Sequence, residues 1–265
     1  MVCFIFNIQG LIKKENDSHP KYGLVGYPLS HSFSKSYFEQ KFKEENISAS
    51  FELFELERID MLEELLKRET DLRGFCVTMP YKEKIMSLLD MTSPLAERCT
   101  NANCIKIERR GKDFILKGFN TDAYGFGKSV ESLGINRGST ACIMGSGGVS
   151  KTISVVLDDM GIRHLTVSRR PEGNQISYRQ MNEILEDTVL IINATPLGMH
   201  PYENMMADID TEKLTRGHCV FDLIYNPAET PLLKEAKARG ARTMNGLDML
   251  HLQADLAWKI FNSNL

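Results

Sequence analysis

From residue 139 onward the chain alternates short apolar runs with amphipathic ones, and that rhythm leaves few folds open. Residues 140–144, 164–168, 189–193, 219–223 and 241–244 are short and apolar or β-branched, as strands are. Between them, 149–160, 177–185 and 231–239 carry apolar residues at helical spacing. A strand that returns through a helix to another strand pairs with it in parallel. Repeating that unit builds a parallel sheet with helices on both faces, a doubly wound Rossmann arrangement. The expected class is α/β.

The preceding residues follow a different pattern. Strands are expected at 21–26, 50–56 and 74–78, the last ended by Pro80. A helix is expected at 34–45, with Tyr37, Phe38 and Phe42 on one face, and another at 58–67, with Met61, Leu62, Leu65 and Leu66. Ser93-Pro94 has the form of a helix cap with proline in the first turn. Residues 105–119 read as a hairpin around Arg110-Gly111-Lys112, and 122–133 as a helix striped by Ala123, Phe126, Val130 and Leu133. Asp122 opens that helix, where the dipole favours an anion. At 265 residues the chain exceeds one small core. Two α/β domains are expected. An N-terminal substrate-binding domain spans 1–121 and is completed by 247–265, the last helix (246–261) packing back on it; a Rossmann domain spans 122–246.

Composition excludes several classes of function. The net charge is −3, with 42% hydrophobic and 25% charged residues. A near-neutral chain offers no electrostatic reason for a nucleic-acid or acidic-membrane partner. The six cysteines form no CxxC pair and several lie in apolar runs, so buried free thiols are expected. Without an HExxH motif or a Cys/His cluster, no metal is expected. Residues 1–10 are apolar but lack a basic start and a small-residue cleavage site, so they do not read as a signal peptide. No run reaches the length of a membrane span. Residues 13–21 read as a polar, mobile stretch, and the cytoplasm is the expected compartment.

Gly145-Ser146-Gly147-Gly148-Val149-Ser150 follows one expected strand and opens the next helix. Glycines let the backbone approach a pyrophosphate, and the helix start supplies N–H groups and positive dipole. Ser150 stands at the third glycine position, which predicts a slightly wider helix–sheet spacing. An NAD site usually carries Asp or Glu about 20 residues on, accepting from the ribose 2′-OH. Here Ser168-Arg169-Arg170 ends the next strand with no acid. Guanidinium groups suit a 2′-phosphate, so NADP is the expected cofactor.

Three polar segments in the first half invite a chemical reading. Ser30-His31-Ser32-Phe33-Ser34 offers three hydroxyls in five residues, enough both to cap a helix and to grip a carboxylate. Val77-Thr78-Met79-Pro80-Tyr81-Lys82 sets a lysine just past a buried strand, and Asn120-Thr121-Asp122 joins a hairpin to a helix. With Gly26-Tyr27-Pro28-Leu29-Ser30-His31-Ser32, the glycine turn, Asn193-Ala194-Thr195-Pro196-Leu197-Gly198-Met199, Asp222-Leu223-Ile224-Tyr225-Asn226-Pro227 and Asn245-Gly246-Leu247-Asp248-Met249-Leu250, these resemble the shikimate dehydrogenase family in order and spacing. The resemblance covers nearly everything after about residue 21.

The resemblance implies roles. Ser32 and Ser34 hold a substrate carboxylate with Tyr225 nearby; Thr78, Asn103 and Gln253 bond ring hydroxyls; Lys82 and Asp122 flank the reacting oxygen as the catalytic pair. Gly145, Ser146, Gly147, Gly148 and Val149 cradle NADP, while Ser168, Arg169 and Arg170 meet its 2′-phosphate. Thr195, Pro196, Leu197, Gly198 and Met199 line the nicotinamide and ribose side, and Leu223, Gly246 and Met249 the nicotinamide end. The implied reaction is reversible NADPH-dependent reduction of 3-dehydroshikimate to shikimate, in aromatic amino acid biosynthesis. The implied partners are small molecules alone, and the chain is a monomer or homodimer. Departures are Lys35 after the second serine, Cys76 before Val77-Thr78, and Asn101-Ala102-Asn103-Cys104 in place of Gly-Ala-Val-Asn-Thr. An NAD-preferring quinate/shikimate dehydrogenase is the alternative enzyme, but it calls for an acid after Ser168. A non-catalytic sensor of shikimate-like ligands is the alternative binder, but it would dispense with Lys82 or Asp122.

Overall fold

A computed structural model describes residues 19–29, 32–111 and 113–263. The first sheet is built from β1 (Lys21–Gly26), β2 (Ser50–Glu55), β3 (Leu72–Val77), β4 (Met91–Thr92), β5 (Cys104–Arg110) and β6 (Asp113–Phe119), in the order β2-β1-β3-β5-β6-β4. Helices α1 (Ser34–Glu44) and α2 (Leu62–Arg68) carry the crossovers that make β1 parallel to β2 and β3. The expected hairpin gives the antiparallel β5–β6 pair. Next, α3 (Pro94–Cys99) starts at Ser93, whose Oγ accepts from the Ala96 N–H at 3.2 Å.

The second sheet consists of β7 (Thr140–Met144), β8 (Arg163–Val167), β9 (Leu190–Asn193), β10 (Cys219–Asp222) and β11 (Arg242–Met244), ordered β11-β10-β9-β7-β8. Every pair in it is parallel. Helices α4 (Asp122–Leu133) and α5 (Gly148–Met160) cover one face; α6 (Tyr178–Glu183) and α7 (Pro231–Ala238) cover the other. Burial on both faces explains why β9 is uninterrupted Leu-Ile-Ile rather than alternating. Phe126 of α4 stacks on Phe221 of β10 at 5.6 Å between centroids.

The last helix, α8 (Leu247–Phe261), serves both sheets. Met249 joins the core under α4, whereas Ala254, Ala257, Ile260 and Phe261 join α1 on the first sheet. The Phe261 ring stacks on Tyr22 at 5.2 Å, and Lys106 Nζ bonds the Ser263 carbonyl just beyond the helix. Gly125 lets α4 approach α8 closely, since a Cβ there would come within 2.6 Å of the Met249 carbonyl.

Some features differ from expectation. β4 has two residues and pairs only with β6, and a 3-10 turn spans Lys84–Leu88. Both are too short to leave a periodic signature. Lys21 opens β1 as the strand expected at 21–26 requires, and bonds Glu69 Oε2 at 2.5 Å. Residues 1–18, including Cys3, lie outside the described residues. The other five cysteines are buried and unpaired. Among the described residues no helix is long and apolar enough to cross a membrane.

Candidate active site

At the C-terminal ends of β7 and β9 the chain leaves in opposite directions, toward β8 and toward β10. Such a switch point opens a crevice where doubly wound sheets bind ligands. Glu83, next to Lys82 in the chain, lies against Gly148 and pairs with Lys151 at 3.0 Å, which brings the Lys82 segment beside this switch point.

Lys82 is fixed from behind. Tyr81 is buried, with its hydroxyl bonded to the Leu56 carbonyl, and the Lys82 carbonyl accepts from the Ala102 N–H at 2.9 Å. Its Nζ donates to Asp122 Oδ2 at 2.6 Å, with side-chain exposures of 23% and 8%. The lysine thus keeps one open side while the carboxylate is almost enclosed. Asp122 Oδ1 accepts from Asn103 Nδ2 at 2.9 Å. The same amide reaches Thr121 Oγ1 at 2.9 Å and Gln253 Oε1 at 3.3 Å. Thr121 also donates to Gln253 Oε1 at 3.2 Å, and its own N–H bonds Asn103 Oδ1 at 2.7 Å. An ammonium held this way can polarise a carbonyl and pass a proton, while the surrounding amides have few alternative rotamers.

Ser32 and Ser34 form a second group at the start of α1. Ser32 Oγ accepts from the Ser34 N–H at 3.3 Å, and both side chains are half-buried. The expected serine cap is not formed by Ser32 or Ser34, because Phe33 stands at the N-cap position of α1 with no side-chain hydrogen bond; Ser30 lies outside the described residues. Tyr225 comes to this end: its ring meets Phe33 edge-on at 5.8 Å. Burial pushes the Tyr225 phenol up from its ordinary range, so it stays a protonated donor. Among the described residues no hydrogen bond joins this group to the Lys82 cluster. Thr78 stands beside Gly26, just past β3.

On the cofactor side, Gly145 leaves β7 with φ +109°, and a Cβ there would sit 3.0 Å from the Ala194 carbonyl. Only glycine suits both demands. Its N–H bonds the Val167 carbonyl at 2.9 Å, so the turn lies beside the end of β8. Gly147 caps α5 without a side-chain acceptor, leaving first-turn N–H groups for an anion. Ser150 uses its hydroxyl to bond the Gly145 carbonyl at 2.7 Å, stitching the turn to the helix. Arg169 and Arg170 are exposed past β8 and make no ion pair among the described residues; Ser168 Oγ holds the Arg170 N–H at 3.2 Å. The glycine turn and the two guanidinium groups together fit a dinucleotide bearing a 2′-phosphate.

The remaining lining is braced by buried polar groups. Asn193 Oδ1 accepts from Thr195 Oγ1 at 2.7 Å, and its Nδ2 reaches the Leu197 carbonyl at 3.2 Å and Asp222 Oδ1 at 3.0 Å. Asp222 also takes Thr230 Oγ1 at 2.6 Å and the Ile224 N–H at 3.0 Å. Burial raises its carboxyl above the usual carboxylate range despite those bonds. This network shapes segment 195–199 and the turn to Tyr225. Gly246 packs under Leu223, where any Cβ would overlap the Leu223 carbonyl at 2.0 Å. Met249 is buried beneath α4.

Sequence reasoning passed over Thr121. It is fully buried and orients Asn103 and Gln253, and its only signal was its place between Asn120 and Asp122. Among the described residues, no group of three or more His, Cys, Asp or Glu could hold a metal ion.

Known proteins of one family match this chain in sequence and in fold. The profile of the shikimate dehydrogenase substrate binding domain matches residues 24–105. Shikimate dehydrogenase (NADP(+)) of Methanosphaera stadtmanae is 33% identical over 258 residues, covering 90% of each chain. The enzyme of the same name from Clostridium perfringens is 36% identical over 255 residues, covering 91% of this chain and 92% of its own. A crystal structure of shikimate dehydrogenase in complex with NADP+ superimposes with a TM-score of 0.83 at 30% identity, covering 93% of this chain and 91% of the other.

Proposed function

The chain belongs to the shikimate dehydrogenase family, and from that premise we propose that it catalyses the reversible, NADP-dependent reduction of 3-dehydroshikimate to shikimate. The observation that carries the reading is the 2.6 Å contact of Lys82 Nζ with Asp122 Oδ2, in a polar cluster open on the lysine side.

NADP(H), when bound, supplies or takes up the hydride. The chain's own groups bind, orient and move the proton. Lys82 donates to the ketone oxygen and delivers a proton as negative charge develops there; in the reverse direction it takes the hydroxyl proton. Asp122 holds the ammonium and accepts from a neighbouring ring hydroxyl. Asn103 and Gln253, locked together through Thr121, bond the ring, with Thr78 on the same side. The hydroxyls of Ser32, Ser34 and Tyr225 donate to the carboxylate at the far end, which sets the distance from anchor to reacting carbon.

For the cofactor, Gly145, Ser146, Gly147, Gly148 and Val149 hold the pyrophosphate, and Ser168, Arg169 and Arg170 the 2′-phosphate. Thr195, Pro196, Leu197, Gly198 and Met199, with Leu223, Gly246 and Met249, present the nicotinamide. Residues 1–121 with 247–265 then form the substrate domain and 122–246 the cofactor domain. The near-neutral charge gives no electrostatic pull toward nucleic acid or acidic membranes, and the enzyme is proposed to work in the cytoplasm as a monomer or homodimer.

The test is reduced-nicotinamide absorbance with shikimate or quinate against NADP+ or NAD+. Shikimate with NADP+ should be the most efficient pair. A higher kcat/KM for quinate with NAD+ would replace this reading with that of an NAD-preferring quinate dehydrogenase.

A further inference from the structure

Behind the site, three buried polar side chains outside the roles assigned above join the two halves of the molecule. Asn101, Asn120 and Thr152 are 1%, 4% and 0% exposed. Asn101 lies between α3 and β5, two residues before Asn103. Its Nδ2 donates to the Cys99 carbonyl at 2.8 Å, to Thr152 Oγ1 at 3.0 Å and to the Gly148 carbonyl at 3.3 Å. Asn120 follows β6 directly, two residues before Asp122. Its Nδ2 donates to Asn101 Oδ1 at 2.8 Å and to Thr152 Oγ1 at 3.1 Å, while its Oδ1 accepts the Ala123 N–H at 3.0 Å. The cluster therefore touches the loop bearing Asn103, the first turn of α4 bearing Asp122, and the first turn of α5 bearing the glycine cradle.

We propose that Asn101, Asn120 and Thr152 are positioning residues, a hydrogen-bonded pivot that fixes the hydride-transfer distance between the two ligands. The inference rests on the dehydrogenase reading above. Ser32, Ser34, Thr78, Lys82, Asn103 and Gln253 belong to one half and the glycine turn and arginines to the other, with only Asp122, Tyr225 and Met249 crossing, so affinity for either ligand alone depends little on the pivot. The reaction depends on it, because hydride donor and acceptor belong to opposite halves. Apolar packing would press the halves together without setting their relative height. Hydrogen bonds are directional and buried amides find no water to replace a lost partner, so the register is defined. Two ion pairs span the same boundary, Lys151 Nζ–Glu83 Oε2 at 3.0 Å and Arg98 Nη2–Asp159 Oδ1 at 2.6 Å. All four side chains are about half exposed, and solvent-screened pairs of that kind contribute little.

The test compares Thr152→Val, which keeps shape but loses the hydroxyl, with Thr152→Ser, which keeps the hydroxyl. Calorimetry gives the dissociation constants of NADP+ and of shikimate, each alone. Turnover is measured with shikimate and with shikimate deuterated at the oxidised carbon. Thr152→Val should lower kcat by about tenfold or more, with both constants within about threefold of wild type. Its deuterium isotope effect should rise as the chemical step becomes limiting, and Thr152→Ser should behave as wild type. An unchanged kcat overturns the pivot. So does a kcat that falls only in step with NADP+ affinity, or an equal loss in Thr152→Ser. Asn101→Ala carries the same comparison if Thr152→Val does not fold. A wild type that turns over no shikimate overturns the dehydrogenase reading instead. The pivot is then judged by hydrogen exchange: Thr152→Val must speed exchange in the first turns of α4 and α5 together, and a change in one alone overturns it.

Discussion

At the residue scale, the site separates binding from chemistry. Lys82 is the only proposed group that both contacts the reacting oxygen and carries a proton to give. Lys82→Ala should lower kcat by about 10²–10⁴-fold, the usual loss for a general acid, while shikimate affinity changes far less. Turnover within a few-fold of wild type would remove it from the mechanism. Arg169 works the other way, through binding alone. A charge-assisted bond contributes about 1.5–3 kcal/mol, and solvent around an exposed guanidinium favours the low end. Arg169→Ala should therefore raise the KM for NADP+ by about tenfold or more. It should leave that for NAD+ and the turnover at saturation nearly unchanged, because the contact is equal in ground and transition states. Equal losses for both cofactors would mean that Arg169 does not read the phosphate.

At the element scale, the first sheet depends on what docks against it. The last turn of α8 puts Phe261, 5% exposed, against Tyr22 and over Gly74, where a Cβ would come within 2.5 Å of the ring. Removing that ring leaves a cavity the glycine cannot fill. Phe261→Ala should lower unfolding stability by about 3–5 kcal/mol in urea titration; a loss below about 1 kcal/mol would show that the turn is not part of the core. One residue before Tyr22, β1 is tied down by the hydrogen bond of Lys21 to Glu69. The hydrogen bond from Lys21 holds the Glu69 carboxyl below its ordinary range, outweighing burial. The folded state then favours the charged carboxylate, and the unfolded state takes up its proton at higher pH. The stabilisation is complete above the ordinary glutamate range and is lost as pH falls through the lowered folded value. Glu69→Gln should thus be less stable than wild type at neutral pH, and the gap should close on acidification. A gap independent of pH would contradict this assignment.

At the scale of the whole molecule, α4, α5 and α8 join the two halves, and among the described residues no hydrogen bond links Ser32, Ser34 or Tyr225 to the Asn101 cluster. Binding both ligands should draw the halves together by rotation about that buried cluster. Small-angle scattering should show a smaller radius of gyration with NADP+ and shikimate together than with neither. Identical curves in an enzyme shown to be active would count against closure.

The amino-acid sequence by itself determined the elements whose stability is local or whose burial is two-sided. β1, β7 and α4 have the bounds that pattern alone predicts, and the parallel sheet follows from strand–helix alternation because a crossover has essentially one way to return. The glycine turn and the arginines after β8 were equally readable, since each follows directly on a strand. Lys82, Asn103, Asp122 and Gln253 came from the family resemblance; nothing in residues 150 positions apart announces that Asn103 and Gln253 share a hydrogen bond. Tertiary structure alone decided the rest. A two-residue strand such as β4 exists only because β6 offers it an edge. Asn101 and Thr152 carry no signal of a role, and Asn120 and Thr121 only their place in a motif, until two sheets close over them. Their partners are chosen by burial, because a polar group deprived of water must bond whatever the fold has brought within reach.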